Sequence, residues 1–291
     1  MEEVTRLTVS SLLLAGLYAV MAYGLGLIYG VLRVVNLAHA GMIMGGAYLT
    51  WVLHGRLGID PYLSIPVVMG AFFVFGVVLY KGLVRFLPRG AAGGGQSLLL
   101  LFGVWLLMRN AAYLLFSGND QAVRTGYSTQ GLRLLGVSVS VNRVAVFVIA
   151  LIALGALHFF LTRTYLGKAI RAVAQNPDSC LLVGIDVERV YALTFGIGSA
   201  LGGLAGLLLS TIFAFNPSSG AVELLKSFVV VVLGGLGSVV GIALGALVLA
   251  FAESFSILVL PSFLTAAVGF VLLVIVLVLR PGGLFGQRVL G

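Results

Sequence analysis

Few side chains in this sequence could carry chemistry, and they are scattered. Its three histidines, His39, His54 and His158, stand in different apolar runs or loops, and no HExxH pair sets two of them on one helix face to hold a metal. The single cysteine, Cys180, has no histidine near it in sequence to draw off its proton, and alone it excludes an internal disulfide. Lys168 follows Gly167, but the earlier glycine of a phosphate-cradling GxxxxGK[ST] loop is missing, so the chain does not hold ATP by that device. These residues predict neither an enzyme nor a metal or other cofactor. Any ATP-driven step must come from a partner.

What remains is a handful of polar residues set in apolar sequence. Asn36 and His39 interrupt RVVNLAHAGMIMGG, and a polar side chain at membrane depth is costly unless it finds a partner or a watery cavity. In one reading Asn36 caps the following helix and His39, a turn later, bonds a backbone carbonyl; in the other both line a transport path. The two readings can hold together. Arg109 lies inside an apolar run, where a central charge costs ~2.5–3.5 kcal/mol on insertion scales, so it must snorkel to the outer face, pair or meet water. Glu253 reads as an interfacial or paired carboxylate, with proton carriage as the alternative.

The elements that must position these residues are membrane helices. With 291 residues, 60% of them hydrophobic, 9% charged, and a mean hydropathy of +1.17, the chain has too little polar surface for a soluble domain. Apolar runs fall near residues 7–30, 34–53, 62–80, 97–116, 142–161, 189–214, 226–255 and 262–279. About 20 residues cross a ~30 Å hydrocarbon core, and the ten-residue alternation of a barrel strand is absent. The expected fold is therefore all-α, a polytopic bundle of about eight hydrophobic segments. The first run is too long for a removable signal peptide and reads as a retained helix. The net charge of +8 reflects Lys and Arg at cytoplasmic helix ends and gives no reason to invoke nucleic acid.

Two basic loops set the orientation. Lys81, Arg85 and Arg89 crowd one, Arg163, Lys168 and Arg171 the other, and two crossings separate them, so both are placed in the cytoplasm and the loop 117–141 outside. If the C-terminal Arg280 and Arg288 are cytoplasmic too, an even number of crossings must follow Arg189, whereas the runs give three. One run must break. Lys226 to Ser254 is overlong and carries GGLGSVVG at its middle, so it reads as two half-helices joined by a glycine turn at Gly234 to Gly241, entering and leaving by the outer face. Small residues also recur every four positions at Thr194, Gly198, Gly202, Gly206 and Ser210, and again at Gly237, Gly241 and Gly245. Such smooth stripes serve close helix packing or an interface that slides.

The longest polar interruption, Thr162 to Arg189, is itself patterned. Lys168, Arg171 and Gln175 recur at helical spacing opposite Ile170, Val173 and Ala174, which predicts a short amphipathic helix. Asn176 can cap a second helix, Pro177 suits its first position, and Asp178 favours the positive end of its dipole. Gly184 ends that helix and Asp186 can cap the next. Two compact helices with a fixed elbow are built to be gripped.

Four blocks in order, LGLIYGVLRVVNLAHAGMIMGGAY, LGKAIRAVAQNPDSCLLVGIDVERVYALTFGIGSALGGLAGLLL, VVLGGLGSVVGIALGALVLAFAE and LRPGGLFG, resemble the membrane-spanning subunits of branched-chain amino acid ATP-binding-cassette importers, and within them the Liv-type H permeases. The chain reads NLAHAG where that family more often reads NFAHG. The resemblance implies a type II-importer-like permease fold, a single transmembrane domain over 1–291 with coupling helices at 166–184, in a bacterial inner membrane. It implies as partners a second, Liv-type M-like permease, two cytoplasmic ATPase subunits, a periplasmic or extracellular solute-binding protein and the lipid bilayer itself. The ATPase-coupling role falls on Gly167, Lys168, Arg171, Asn176, Pro177, Asp178 and Gly184, and the translocation pathway on Asn36, His39, Gly41, Gly234, Gly235 and Gly237. The cargo implied is a branched-chain or related amino acid. Alternatives are an importer for another small polar solute (urea, an amide, a sugar) and an ion-coupled secondary transporter.

Overall fold

The structure, a computed structural model, describes residues 2–88, 91–128, 130–134, 136–235, 238–261, 264–280 and 283. The chain forms α1 (Glu2–Leu32), α2 (His39–Leu57), α3 (Ile65–Gly82), α4 (Ala91–Phe116), a hairpin of β1 (Gly131–Leu134) and β2 (Val137–Ser140), α5 (Val141–Arg163), α6 (Tyr165–Gln175), α7 (Pro177–Leu182), α8 (Val187–Ser210), α9 (Ser219–Gly234), α10 (Val239–Ser256) and α11 (Thr265–Leu279). Among the described residues, five stretches are long and apolar enough to cross a membrane: α1, Ile65–Phe86, Gly95–Phe116, α5 and α8. The protein is a multi-pass membrane helix bundle.

Side-chain contacts fix the direction of each helix. At the end carrying the basic loops, Tyr80 of α3 donates to Glu188 at the start of α8 at 3.0 Å. At the opposite, outer end, Asn142 at the start of α5 donates to the carbonyl of Thr211, just past α8, at 2.9 Å. Val9 and Leu13 of α1 pack on Val137 and Val139 of β2, which sets the beginning of α1 at the outer end as well. A backbone bridge between Gln121 and Phe215, 2.8 Å in both directions, ties two outer loops together.

The centre of the bundle is α1 against α8, whose membrane-length cores are 83% and 89% buried against at most 33% for α3, α4 and α5. Glycine lets these backbones meet. A Cβ on Gly24 would fall 2.6 Å from the Gly198 carbonyl oxygen, and one on Gly206 would fall 1.7 Å from that of Ile43 in α2. The stripe along α8 thus packs inside the chain: Gly198 against α1, Gly202 on His39 and Met42, Gly206 on α2.

Two runs are interrupted. The second does not become helical at residue 34: residues 33–38 are unwound, Arg33 takes a left-handed φ of 57°, and α2 begins only at His39. His39 lies level with Met21, eleven residues and roughly 16 Å from the inner end of α1, so α2 starts inside the bundle. The overlong run splits into α9 and α10, which pack antiparallel with Gly241 against the Gly234 carbonyl and Gly245 against that of Val230. Lys226 and Ser254 border one outer cavity, so both arms of the hairpin leave by the same end. Splitting that run supplies the even number of crossings after Arg189.

Candidate functional site

The inner end of the bundle carries a short helical pair whose shape is set by local signals. Thr164 ends α5 and caps α6: its Oγ1 donates to the Phe160 carbonyl (2.7 Å) and accepts from the Gly167 amide (3.0 Å). Gly167 has no room for a side chain, since a Cβ there would fall 2.1 Å from the Phe160 carbonyl oxygen, so α6 folds back tightly on α5. Along α6, Ala169, Ile170 and Val173 are buried while Lys168, Arg171 and Gln175 face out. Asn176 then caps α7, its Oδ1 accepting from the Ser179 amide at 2.9 Å, with Pro177 in the first turn and Asp178 beside it. The elbow closes at Gly184, whose φ of 78° suits glycine, and Asp186 caps α8 by accepting from the Arg189 amide at 3.0 Å.

Lys168, Arg171, Asn176, Asp178 and Gly184 are exposed together on this pair, whereas Gly167 is buried and acts by allowing the close turn. Beside them stands a feature the sequence reading missed. Leu181, Leu182 and Val183 are exposed by 58%, 89% and 74% at the tip of α7. In a linear sequence three apolar residues look like core, and only the folded chain shows them to be uncovered. Asn176→Ala should cost the elbow about 1 kcal/mol, the usual worth of such a cap. Faster amide hydrogen exchange over Ser179–Leu182, with the membrane helices unchanged, is the expected result.

The membrane-depth residues are arranged differently from the sequence expectation. Asn36 does not cap α2 with its side chain: the N-cap is Ala38, and Asn36 Nδ2 instead points at the Met42 sulfur at 3.8 Å. The unwound 33–38 segment turns the amide into the bundle, away from the amides of α2. His39 does bond a carbonyl, that of Met21 in α1, at 2.9 Å from Nε2. Both residues are wholly buried, and Asn36 Oδ1 and His39 Nδ1 have no partner. Gly41, one turn into α2, abuts Met108 of α4. Gly234 and Gly235 form the turn of the α9–α10 hairpin; Gly235 takes φ 86°, ψ 130°, a conformation essentially reserved for glycine. Gly237 lies outside the described residues.

Arg109 is paired with a hydroxyl and with aromatic rings. Its Nη2 donates to Ser218 Oγ at 3.2 Å and its guanidinium lies 5.6 Å from the Tyr113 ring centre. Glu253 is paired as well. Its Oε2 accepts from the Tyr18 hydroxyl, Lys226 Nζ stands 3.2 Å from that hydroxyl, and Glu223 lies 3.7 Å from the same ammonium. This cluster of α1, α9 and α10 joins residues up to 235 positions apart. The one sequence signal for it is Glu223 and Lys226, opposite charges three residues apart in an apolar stretch. Among the described residues no group of His, Cys, Asp or Glu could hold a metal.

The arrangement is a helix bundle with polar groups at depth and a protruding pair of short helices at its inner end. No solved structure matches the chain. High-affinity branched-chain amino acid transport system permease protein BraD of Pseudomonas aeruginosa is 31% identical over 297 residues, 96% of this chain and 94% of its own length. The corresponding protein LivH of Escherichia coli K12 is 29% identical over 288 residues, 94% and 92% of the two chains. Xylose transport system permease protein XylH of the same organism is 34% identical over 126 residues, 40% of this chain and 32% of its own. The family profile described as branched-chain amino acid transport system, permease component, matches residues 7–279, and the chain belongs to that family.

Proposed function

We propose that this chain is half of the translocation pathway of an ATP-driven importer for branched-chain or related amino acids in a bacterial inner membrane, coupled through α6 and α7 to a separate cytoplasmic ATPase. The observation that carries the coupling is the tip of α7, where Leu181–Val183 stand uncovered beside Lys168 and Arg171 at the aqueous end. Apolar side chains so placed are stabilised by a partner groove, and the flanking cations steer an acidic one. The elbow fixed by Asn176, Pro177, Asp178 and Gly184 transmits movement of that groove into α5 and α8, the helices it joins directly. Asn36, His39, Gly41, Gly234, Gly235 and Gly237 belong to the pathway, which is completed by a second, Liv-type M-like permease and fed by a solute-binding protein.

The cargo is argued from the full-length similarity to BraD and LivH, whereas XylH aligns with less than half of the chain. Reconstitution tests both parts. Proteoliposomes holding this chain with its co-encoded permease, ATPase and binding protein are expected to accumulate leucine, isoleucine and valine only with ATP inside the compartment where the ATPase sits. Uptake by this chain alone, driven by an ion gradient, would replace the ATP-driven reading with a secondary transporter. Uptake of xylose or urea in place of leucine would overturn the cargo.

A further inference from the structure

The outer half of the bundle encloses a cavity of about 630 Å³ that ends on the Tyr18–Lys226–Glu253 cluster. Its charge is unevenly distributed. At the floor, Lys226 donates to the Tyr18 hydroxyl and lies 3.7 Å from Glu223 behind it, while Glu253, itself 8% exposed, accepts from that hydroxyl and keeps Oε1 without a partner. The floor is therefore short of one positive charge, and a buried carboxylate oxygen left unpaired is unfavourable unless something completes it. On the outer side the same cavity is bordered by two cations, Arg143 and Arg6. Phe147 packs on Gly16, with Arg143 one turn outward of Phe147 and Tyr18 half a turn inward of Gly16, so the two levels are roughly 9 Å apart along the bundle. That is about two hydrogen-bond lengths plus the width of an amino-acid head group. Leu14 and Ile212 give the space between an apolar wall.

We infer that this cavity is a binding site for a zwitterionic α-amino acid on its way inward: the ammonium completes the Glu253 carboxylate, the α-carboxylate faces Arg143, and an aliphatic side chain lies along Leu14 and Ile212. The inference rests on the proposed amino acid cargo and adds to it a site within this subunit. A bare cation would leave Arg143, Arg6 and the apolar wall without a role, and a bare anion held at those arginines would leave the open Glu253 oxygen at the floor without a cation.

The test is saturation-transfer NMR with leucine as the probe, on the full-length chain in nanodiscs with whichever subunits co-purify and no binding protein. Saturable leucine binding is expected, displaced by valine and isoleucine, and displaced at least tenfold more weakly by N-acetyl-leucine, which lacks the cation, and by leucinamide, which lacks the carboxylate. Glu253→Gln keeps an acceptor for the Tyr18 hydroxyl and should weaken binding at least tenfold, as should Arg143→Gln; Arg143→Lys should recover part of the loss. Equal displacement by N-acetyl-leucine, or unchanged binding in both variants, overturns the site. A Glu253→Gln chain that binds leucine normally but changes the dependence of transport on pH or sodium assigns the cluster to a proton or cation and equally overturns it. If the wild-type complex imports leucine while these variants import and bind as it does, only this site fails; if it imports no amino acid, the cargo itself fails.

Discussion

Gly206→Leu is expected to eliminate folded, monodisperse protein. The added Cβ alone would fall 1.7 Å from the Ile43 carbonyl oxygen and 2.8 Å from the Ala47 amide nitrogen, both main-chain atoms of α2 that no rotamer change can move. Overpacking in a yielding core costs about 1–3 kcal/mol. Here the only relief is to part α2 from α8, which would uncover Gly46 and Gly203 as well, a pair already so close that a Cβ on Gly46 would meet the Gly203 carbonyl at 2.2 Å. Gly155→Leu is the control: it lies on the exposed face of α5 with nothing within 4 Å of its Cβ position. Size-exclusion profiles and thermal unfolding midpoints should therefore separate the two variants sharply. A Gly206→Leu chain with wild-type yield and midpoint would show that α2 and α8 are not held together by this close backbone contact.

The second large effect is expected at the tip of α7. Leu182 is 89% exposed, and burying a leucine in a partner groove contributes about 1.5–3 kcal/mol, where each 1.4 kcal/mol is tenfold in affinity. Leu182→Asp removes that burial and places a charge in the groove, so affinity for the ATPase subunit should fall at least tenfold and hydrolysis should lose its coupling to uptake. Arg171→Glu should act more weakly and through salt dependence, since Arg171 is an exposed flanking charge that affects encounter more than the docked complex. Co-purification of ATPase subunits with the two variants, at low and high salt, checks both. Full retention of the ATPase by Leu182→Asp would remove α7 from the interface.

How much of this was readable in advance depended on the range of the signal. The Thr162–Arg189 stretch announces its own geometry, because a capping Asn176, a first-turn Pro177 and a left-handed Gly184 act on backbone groups within four residues of themselves. The split between α9 and α10 was legible for the same reason: clustered glycines in an overlong run cannot continue a helix cheaply. Asn36 misled because a capping residue is recognised by the helix that begins after it, whereas its conformation is set by α1, against which residues 33–38 turn back into the bundle. That Glu253 would join Tyr18 and the Glu223–Lys226 pair was out of reach, although the pair itself shows in the sequence. Tyr18, Glu223 and Lys226 meet it only once three helices have assembled, and neither periodicity nor spacing encodes which apolar faces will pair.

The pairing of α1 with α8 has a consequence for how the protein is made. The two most buried membrane-length helices are made far apart in time, α1 first and α8 only after α2 to α7. While the ribosome is still working through those segments, α1 must lodge in lipid with the glycine face that will receive α8 turned to hydrocarbon or to a chaperoning protein. Insertion and central packing are therefore separate events in time, because the close backbone contacts of α1 and α2 with α8 cannot form until α8 itself has been made. Slowing elongation between α5 and α8 would lengthen the life of that half-built bundle. A quality-control protease would then meet α1 through α5 with only their peripheral contacts available, such as Phe147 on Gly16 and Met108 on Gly41, and with the central helix still missing.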